Sequence, residues 1–216
     1  MNLKDTIGIF PDAFGKSECE ALINESEEAI SSGAAWAGRN TTGESGESGV
    51  SKVKKSTDYQ IDMKGSLGSF VIAKFNQYTD NYLSNFPVDV CDCCHSDTYS
   101  HQEVVSGKTH YPLLQIQKYD KGSGHYGTWH VEKENADTAI RQFVYILYLN
   151  TVDEGGETGF LFKEEGNDDF FKVKPSRGKL IIHPASWPYV HKGYMPITQD
   201  KYILTTWLQY ITHTAP

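Results

Sequence analysis

The stretch that most clearly indicates the fold is Arg141-Gln-Phe-Val-Tyr-Ile-Leu-Tyr-Leu-Asn150, in which residues 143–149 are all β-branched, aromatic or Leu. Such residues are typical of strands. Comparable runs, punctuated by Gly, Pro and Asp, lie on both sides of it at residues 113–119, 170–173, 179–183 and 201–210. The chain after about Pro112 is therefore predicted to consist of short strands.

The first half of the chain carries two helical patterns. Ser17-x-x-Glu20 matches a capping box, and the amphipathic segment that follows runs to about Ser32, with Gly33 as the predicted end. From residue 66 to residue 85 apolar residues recur at three- and four-residue steps, which predicts a second helix that ends before Pro87.

Short strands without intervening helices favour a sandwich, barrel or jelly roll over a doubly wound parallel sheet. We therefore predict an α+β protein with a mainly β core and N-terminal supporting helices. At 216 residues the chain suits one domain, residues 1–216. Residues 1–112 are expected to supply helical support and loops, and residues 113–211 the β core.

The composition limits the possible binding partners and the cellular compartment of the protein. The formal net charge of −8 argues against a nucleic-acid partner, because clustered Lys and Arg dominate such binding. No stretch approaches the roughly 20 apolar residues that span a bilayer, so we expect no membrane partner. Three cysteines crowded into residues 91–94 suit thiols in a reducing compartment, which favours the cytoplasm.

Two polar segments leave alternatives open. Cys91-Asp-Cys-Cys-His95 could bind zinc, but adjacent ligands do not easily wrap one tetrahedral ion, so a polar loop is the preferred interpretation. Residues 40–51 are rich in Gly, Ser, Thr and Glu and contain few apolar residues. They could form a lid over a substrate or simply a surface insertion.

His130 and Glu132 are two residues apart, a spacing that on a strand directs both side chains to one face. With His191 as third ligand they would form a set of two His and one carboxylate, which suits non-haem iron(II) because it leaves coordination positions open. The His-x-Asp/Glu pattern is weak by itself, since His95-Ser-Asp97 and His101-Gln-Glu103 also match it.

The surroundings of His130 decide among these matches. They resemble the catalytic domain of the prolyl 4-hydroxylase-like 2-oxoglutarate dioxygenases over roughly residues 113–210. The matching segments are Leu114-Gln-Ile-Gln-Lys-Tyr119, Trp129-His-Val-Glu132, Arg141–Asn150, Gly155-Gly-Glu-Thr-Gly-Phe160, Pro175-Ser-Arg-Gly178, His191 and Lys201-Tyr-Ile-Leu-Thr-Thr-Trp207.

The resemblance implies a double-stranded β-helix, or jelly roll, and a dioxygenase that hydroxylates an unactivated C–H bond. Its cofactors and co-substrates would be Fe(II), 2-oxoglutarate, O2 and L-ascorbate. His130, Glu132 and His191 would hold the metal, and Lys201 would bind the distal carboxylate of 2-oxoglutarate with help from Tyr119. Trp207 is expected to line the substrate channel.

Two positions depart from the family pattern. Glu132 stands where members usually have Asp, and Val144 stands where they often have Thr near the co-substrate. Glutamate keeps the charge and the donor oxygen, so metal binding should survive, but the extra methylene must be accommodated. His125 and His183 also lie near the predicted site, and we assign them no role because three ligands complete the set.

The leading substrate implied by the resemblance is a peptidyl proline, with a free amino acid or another small molecule as the alternative. A non-catalytic metal- or ligand-binding protein on the same fold is the stronger rival, and a cupin-like barrel is the weaker. Succinate formation from 2-oxoglutarate would separate the oxygenase from both.

Overall fold

The computed structural model of the protein describes residues 3–38, 53–86, 109–163 and 170–211. Several features of the sequence lie outside these ranges. They are the Cys91–His95 segment, the residue 40–51 segment, Pro87, and the competing pairs His95/Asp97 and His101/Glu103.

Two α-helices and one short 3-10 helix come from the first 86 residues. They are the 3-10 helix Leu3–Thr6, α1 (Lys16–Ser32) and α2 (Ser66–Ser84). Gly33 follows α1 in the left-handed conformation, with φ 77°, and ends that helix as predicted. The predicted capping box is wrong, because the N-cap is Gly15, whose N–H donates to the Glu18 carboxylate at 2.7 Å.

Thirteen strands are present among the described residues. They are β1 (Gly8–Phe10), β2 (Trp36–Ala37), β3 (Lys54–Lys55), β4 (Thr57–Gln60), β5 (Thr109–His110), β6 (Gln115–Tyr119), β7 (His125–His130), β8 (Arg141–Tyr148), β9 (Thr158–Lys163), β10 (Phe170–Val173), β11 (Leu180–Pro184), β12 (His191–Gly193) and β13 (Lys201–Tyr210).

The strands form two antiparallel sheets. The major sheet has the order β1-β11-β8-β13-β6-β4-β2, with β5 pairing to the end of β13, and the minor sheet has the order β10-β9-β12-β7-β3. All five predicted strands are present, with bounds that shift by at most two residues. The mainly β core with supporting helices is therefore confirmed.

The apolar run in β8 is explained by burial on both faces of the major sheet. Tyr145 and Leu147 pack against α1 and α2 in one core cluster. Val144, Ile146 and Tyr148 point the other way and join a second cluster between the two sheets. Because successive strand residues alternate faces, a strand covered on both sides needs apolar residues throughout.

Strands from the first 60 residues also complete both sheets. β1 pairs with β11 and β4 pairs with β6 in the major sheet, while β3 pairs with β7 in the minor sheet. The sequence predicted only helices and loops here, because strands of two to four residues leave almost no alternation to detect. No helix in the described part of the chain combines the length and apolar character needed to cross a membrane.

Candidate metal centre

The minor sheet brings His130, Glu132 and His191 together. His130 ends β7 and His191 begins β12, and the two residues are paired across these antiparallel strands. Glu132 lies two residues beyond β7 rather than within a strand, and its backbone N–H donates to the Ala185 carbonyl at 3.0 Å. Strand alternation therefore does not account for its carboxylate, which faces the two imidazoles.

The three side chains have the separations of a cation site. Glu132 Oε1 is 3.7 Å from His130 Nε2 and 3.6 Å from His191 Nε2, and one ligand atom from each residue lies within 4.8 Å of the others. In the described part of the chain these residues are the one cluster of His, Cys, Asp and Glu side chains with this geometry.

Both histidines are oriented by their second ring nitrogen. His130 Nδ1 is 2.9 Å from the Thr128 carbonyl, and His191 Nδ1 is 3.0 Å from the Tyr189 carbonyl. A carbonyl only accepts, so in the neutral rings Nδ1 carries the hydrogen and each Nε2 presents a lone pair. Metal-ligating histidines are usually oriented by such a hydrogen bond from the second ring nitrogen. This orientation of both imidazoles is the observation that supports a metal ion at these residues.

The Tyr189 side chain extends this support to the N-terminus. Its hydroxyl lies 2.5 Å from Thr6 Oγ1. The Tyr82 hydroxyl, from α2, donates to the Thr6 carbonyl at 2.7 Å. Hydrogen bonds therefore link the segment that orients His191 to the 3-10 helix and, through Thr6, to α2.

The charges at the cluster are those of a cation site. Burial alone would raise the pKa of Glu132, but the neighbouring His130 and His191 imidazoles hold it well below its usual range. For His130, burial opposes protonation but Glu132 outweighs it and raises the pKa. Burial, with the neighbouring His130, lowers the pKa of His191. An ionised carboxylate thus faces two imidazoles.

The second carboxylate oxygen of Glu132 has a different partner. Arg141, the first residue of β8, donates from Nη1 to Glu132 Oε2 at 2.8 Å and to the Glu132 carbonyl at 3.2 Å. The guanidinium also stacks 3.9 Å from the centre of the Trp207 ring. Sequence analysis did not single out Arg141.

Aromatic rings enclose the two histidines. Tyr126 stacks on His130 with ring centres 4.0 Å apart, and sequence analysis did not single it out. His183 and Phe160 contact the His191 ring. His183 is fully buried, and burial, reinforced by His191, lowers its pKa to about 3, so the ring is neutral. His125, at the other end of β7, does not belong to the cluster.

Lys201 approaches from the major sheet. Its ammonium, at the start of β13, is fully buried and donates to the Gly156 carbonyl at 3.0 Å. No carboxylate of the described residues forms an ion pair with it. Burial lowers its pKa to about 8, although Glu157 acts in the opposite direction. Burying a cation with only one neutral acceptor is unfavourable, so this position favours binding of an anionic ligand.

The Gly155-Gly156 turn shapes the space around Lys201. Gly156 has φ 73°, a conformation that other residues rarely adopt, and a Cβ there would come within 3.3 Å of Lys201 Cδ. Tyr119 packs its ring 4.7 Å from the ammonium on the other side. Its hydroxyl donates to Gln117 at 2.6 Å, so in this structure Tyr119 contacts Lys201 through its ring rather than its hydroxyl.

A cavity of about 250 Å³ joins Lys201 to the three-residue cluster. Four alternate residues of β13 line it, namely Lys201, Ile203, Thr205 and Trp207. Val144, the second departure from the family pattern, also lies on its wall. Trp207 Nε1 is buried and has no hydrogen-bond acceptor among the described residues.

Comparison with known proteins gives two kinds of likeness. Residues 114–209 match the family described as the 2OG-Fe(II) oxygenase superfamily. Over 121 residues the chain is 27% identical to prolyl 4-hydroxylase 13 of Arabidopsis thaliana, a match that covers 47% of this chain and 44% of that protein. The chain thus spans less than half the length of this curated relative.

Solved structures extend the likeness to nearly the whole chain. The viral collagen prolyl hydroxylase of Paramecium Bursaria Chlorella virus-1, in its 2OG complex, is 19% identical with a TM-score of 0.63, covering 95% of this chain and 97% of that one. The Trichoplax adhaerens prolyl hydroxylase, in complex with a hypoxia inducible factor peptide fragment, is 16% identical with a TM-score of 0.67, covering 95% and 84%. At these identities the likeness concerns the fold, and it confirms the predicted jelly roll.

Proposed function

We propose that this chain is a prolyl 4-hydroxylase-like 2OG-Fe(II) oxygenase that hydroxylates an unactivated C–H bond, with peptidyl proline as the leading substrate. One observation carries the proposal. Two imidazoles whose Nδ1 atoms are held by backbone carbonyls converge with a carboxylate in a cavity that a buried lysine also lines. We also propose that residues 1–216 act as one oxygenase domain, because strands before residue 61 complete both sheets.

In this proposal His130, Glu132 and His191 hold Fe(II), which supplies activation of dioxygen when bound. The protein residues orient the ligands and limit access of water. The Thr128 and Tyr189 carbonyls fix the ring tautomers, and burial keeps the Glu132 carboxylate away from bulk water. Two His and one carboxylate leave room for a co-substrate, as non-haem iron oxygenases require.

Lys201 binds the distal carboxylate of 2-oxoglutarate, with Tyr119 as a wall beside it. This dicarboxylate fits because it would neutralise a buried ammonium while its 2-oxo acid end lies toward the metal ligands across the cavity. L-ascorbate is proposed as the accessory reductant on the strength of the family resemblance.

The substrate side of the cavity is formed in part by Trp207. Its partly exposed ring lines the cavity and offers an apolar surface to a substrate. The Trichoplax adhaerens hydroxylase holds a peptide fragment, which favours a peptide over a free amino acid. A cytoplasmic location stays part of the proposal and rests on the clustered cysteines of residues 91–94.

The test measures succinate. Metal-free protein is supplied with Fe(II), 2-oxoglutarate and ascorbate in air, with and without proline-rich peptides, for the native chain, His130→Ala and Lys201→Ala. His110→Ala is the matched control, because His110 is exposed on β5. We expect succinate from the native chain and the control, with at least a hundredfold loss in the other two variants, and hydroxyproline in the peptide by mass spectrometry.

Two outcomes would contradict the proposal. Metal binding by the native chain without succinate under any of these conditions would favour the rival non-catalytic binding protein. Succinate without hydroxyproline would retain the oxygenase and reject peptidyl proline. If the native chain binds metal without forming succinate, Glu132→Asp is tested next. Turnover gained by that variant would show that the native carboxylate is misplaced for oxygen chemistry.

A further inference from the structure

We propose that Arg141 is a positioning residue that fixes Glu132 as a one-oxygen metal ligand. This inference rests on the proposed metal site. It concerns a contact between the two sheets, since Arg141 begins β8 of the major sheet and Glu132 follows β7 of the minor sheet.

The carboxylate of Glu132 is divided between two sets of partners. Oε1 faces the imidazoles, at 3.7 Å from His130 Nε2 and 3.6 Å from His191 Nε2. Oε2 accepts from Arg141 Nη1 at 2.8 Å. With Oε2 engaged by a charged donor, only Oε1 is directed to the position that a metal bound by both imidazoles would occupy.

Arg141 is itself held in place. The same Nη1 donates to the Glu132 carbonyl at 3.2 Å, so its orientation is tied to the backbone of the residue it positions. The guanidinium lies 3.9 Å from the Trp207 ring centre, and both Arg141 and Glu132 are largely buried. A planar guanidinium that is stacked and hydrogen-bonded loses little further freedom when it holds a carboxylate.

The length of glutamate explains why such a contact is needed. Glutamate has one more rotatable bond than aspartate, so its carboxylate could chelate through both oxygens or rotate away from the imidazoles. Arg141 removes that freedom. Aspartate would withdraw the carboxylate by about one C–C bond, roughly 1.5 Å, and lengthen the contact with the guanidinium. The functional effect of Arg141 should therefore depend on Glu132.

The test is a double-mutant cycle on metal affinity, which does not require turnover. Calorimetric titration with Mn²⁺ is carried out on the native chain, R141Q, E132D and the E132D/R141Q double variant. Arg177→Gln is the matched control, because it removes the same charge from an exposed turn before β11. If R141Q does not fold, the cycle is run with R141K.

We expect R141Q to bind Mn²⁺ about tenfold or more weakly than the native chain, as is usual for loss of a residue that orients a ligand. In the E132D background the same change should weaken binding less than about threefold, since the contact is already lost. The visible absorption of bound Co²⁺ should change in R141Q and not in R177Q, because it reports the coordination geometry rather than stability.

Two results would overturn the inference. One is Mn²⁺ affinity within twofold of the native value in R141Q. The other is an equal loss of affinity in the native and E132D backgrounds, which would mean that Arg141 does not act through Glu132. A native chain that binds Mn²⁺ but forms no succinate would reject the proposed oxygenase activity while leaving this cycle interpretable.

Discussion

Lys201 shows how one residue can be unfavourable for the fold and useful for the site. Its ammonium is buried, has a single carbonyl acceptor and has a pKa of about 8 instead of 10.5. Burying a charge without a counter-charge is unfavourable unless a ligand supplies one. Replacing Lys201 by an apolar residue should therefore stabilise the free protein and destabilise the ligand-bound protein.

We predict that Lys201→Met stabilises the metal-free protein. Because the folded-state pKa lies below the unfolded value, Lys201 destabilises the fold fully below pH 8, and the effect disappears as pH rises from 8 through 10.5. At pH 7 the gain should be at most about 3–4 kcal/mol, because the pKa falls from 10.5 to about 8. Urea unfolding at pH 7 and pH 10 measures it.

The control for that variant is Lys121→Met, which removes an exposed ammonium. It should change the free energy of unfolding by less than about 0.5 kcal/mol at either pH. Lys201→Met should gain less stability at pH 10 than at pH 7. An equal or larger gain at pH 10 would contradict burial of the charged ammonium as the cause.

The same pKa predicts the pH dependence of co-substrate binding. Only the protonated Lys201 neutralises a carboxylate, so the Kd for 2-oxoglutarate, measured with Mn²⁺ bound, should be constant below about pH 8. Above that value it should rise toward tenfold per pH unit. In Lys201→Arg the Kd should no longer rise above pH 8, because arginine stays protonated. An unchanged rise in that variant would assign the pH dependence to another group.

At the scale of elements, the sequence predicts the long segments and misses the short ones. Residues 66–84 form a helix because 19 residues carry enough apolar repeats to define its buried face. Strands β3 and β12, with two and three residues, contain no detectable period. Their positions depend on pairing with β7, a tertiary contact that local pattern does not encode.

The candidate site was predictable to a similar degree. The identities of His130, Glu132 and His191 followed from motif order and family resemblance, and the structure brings them together. Their geometry did not follow, since Glu132 lies beyond β7, where its N–H donates to the Ala185 carbonyl and its carboxylate accepts from Arg141. Both partners lie on other strands or at their ends, so spacing along the chain does not reveal them.

Helix α2 contains a glycine at which the usual effect of substitution should reverse. Replacing glycine by alanine inside a helix normally stabilises by about 1 kcal/mol. A Cβ on Gly68, however, would lie 2.3 Å from the Asp62 carbonyl oxygen and 2.7 Å from Met63 Cα. We predict that Gly68→Ala destabilises the protein by about 1–3 kcal/mol, because backbone atoms must move.

Thermal unfolding of Gly68→Ala beside Gln77→Ala tests this prediction. Gln77 is exposed on the same helix, so its substitution reports helix propensity without a steric clash. The Gln77 variant should unfold within about 2 °C of the native chain. A Gly68→Ala protein more stable than the native one would show that the loop before α2 moves at little cost.

At the scale of the whole molecule, the candidate site is shared between the two sheets. The minor-sheet side supplies the three metal ligands, and the major sheet supplies Lys201, Arg141 and Trp207. A molecule bound to the metal at one end and to Lys201 at the other would connect the sheets directly. Ligand binding should therefore stabilise the protein against unfolding, not only occupy a pocket.

We predict that Mn²⁺ and 2-oxoglutarate together raise the Tm by more than the sum of their separate effects. At concentrations near 100 times each Kd, one ligand contributes about 2.7 kcal/mol, or roughly 5–10 °C for a chain of this size. Lys201→Met should keep the increment from Mn²⁺ and lose most of the increment from 2-oxoglutarate. Strictly additive shifts in the native protein would contradict a bridge between the sheets.

The hydrogen bond between Thr6 and Tyr189 has a consequence for the order of folding. It joins residues 183 positions apart and supports the carbonyl that orients His191. Contacts so distant along the chain close late, because the ends must first be brought together. In stopped-flow refolding, the absorption of bound Co²⁺ should therefore lag behind the far-ultraviolet circular dichroism. Metal binding would then mark the completion of folding.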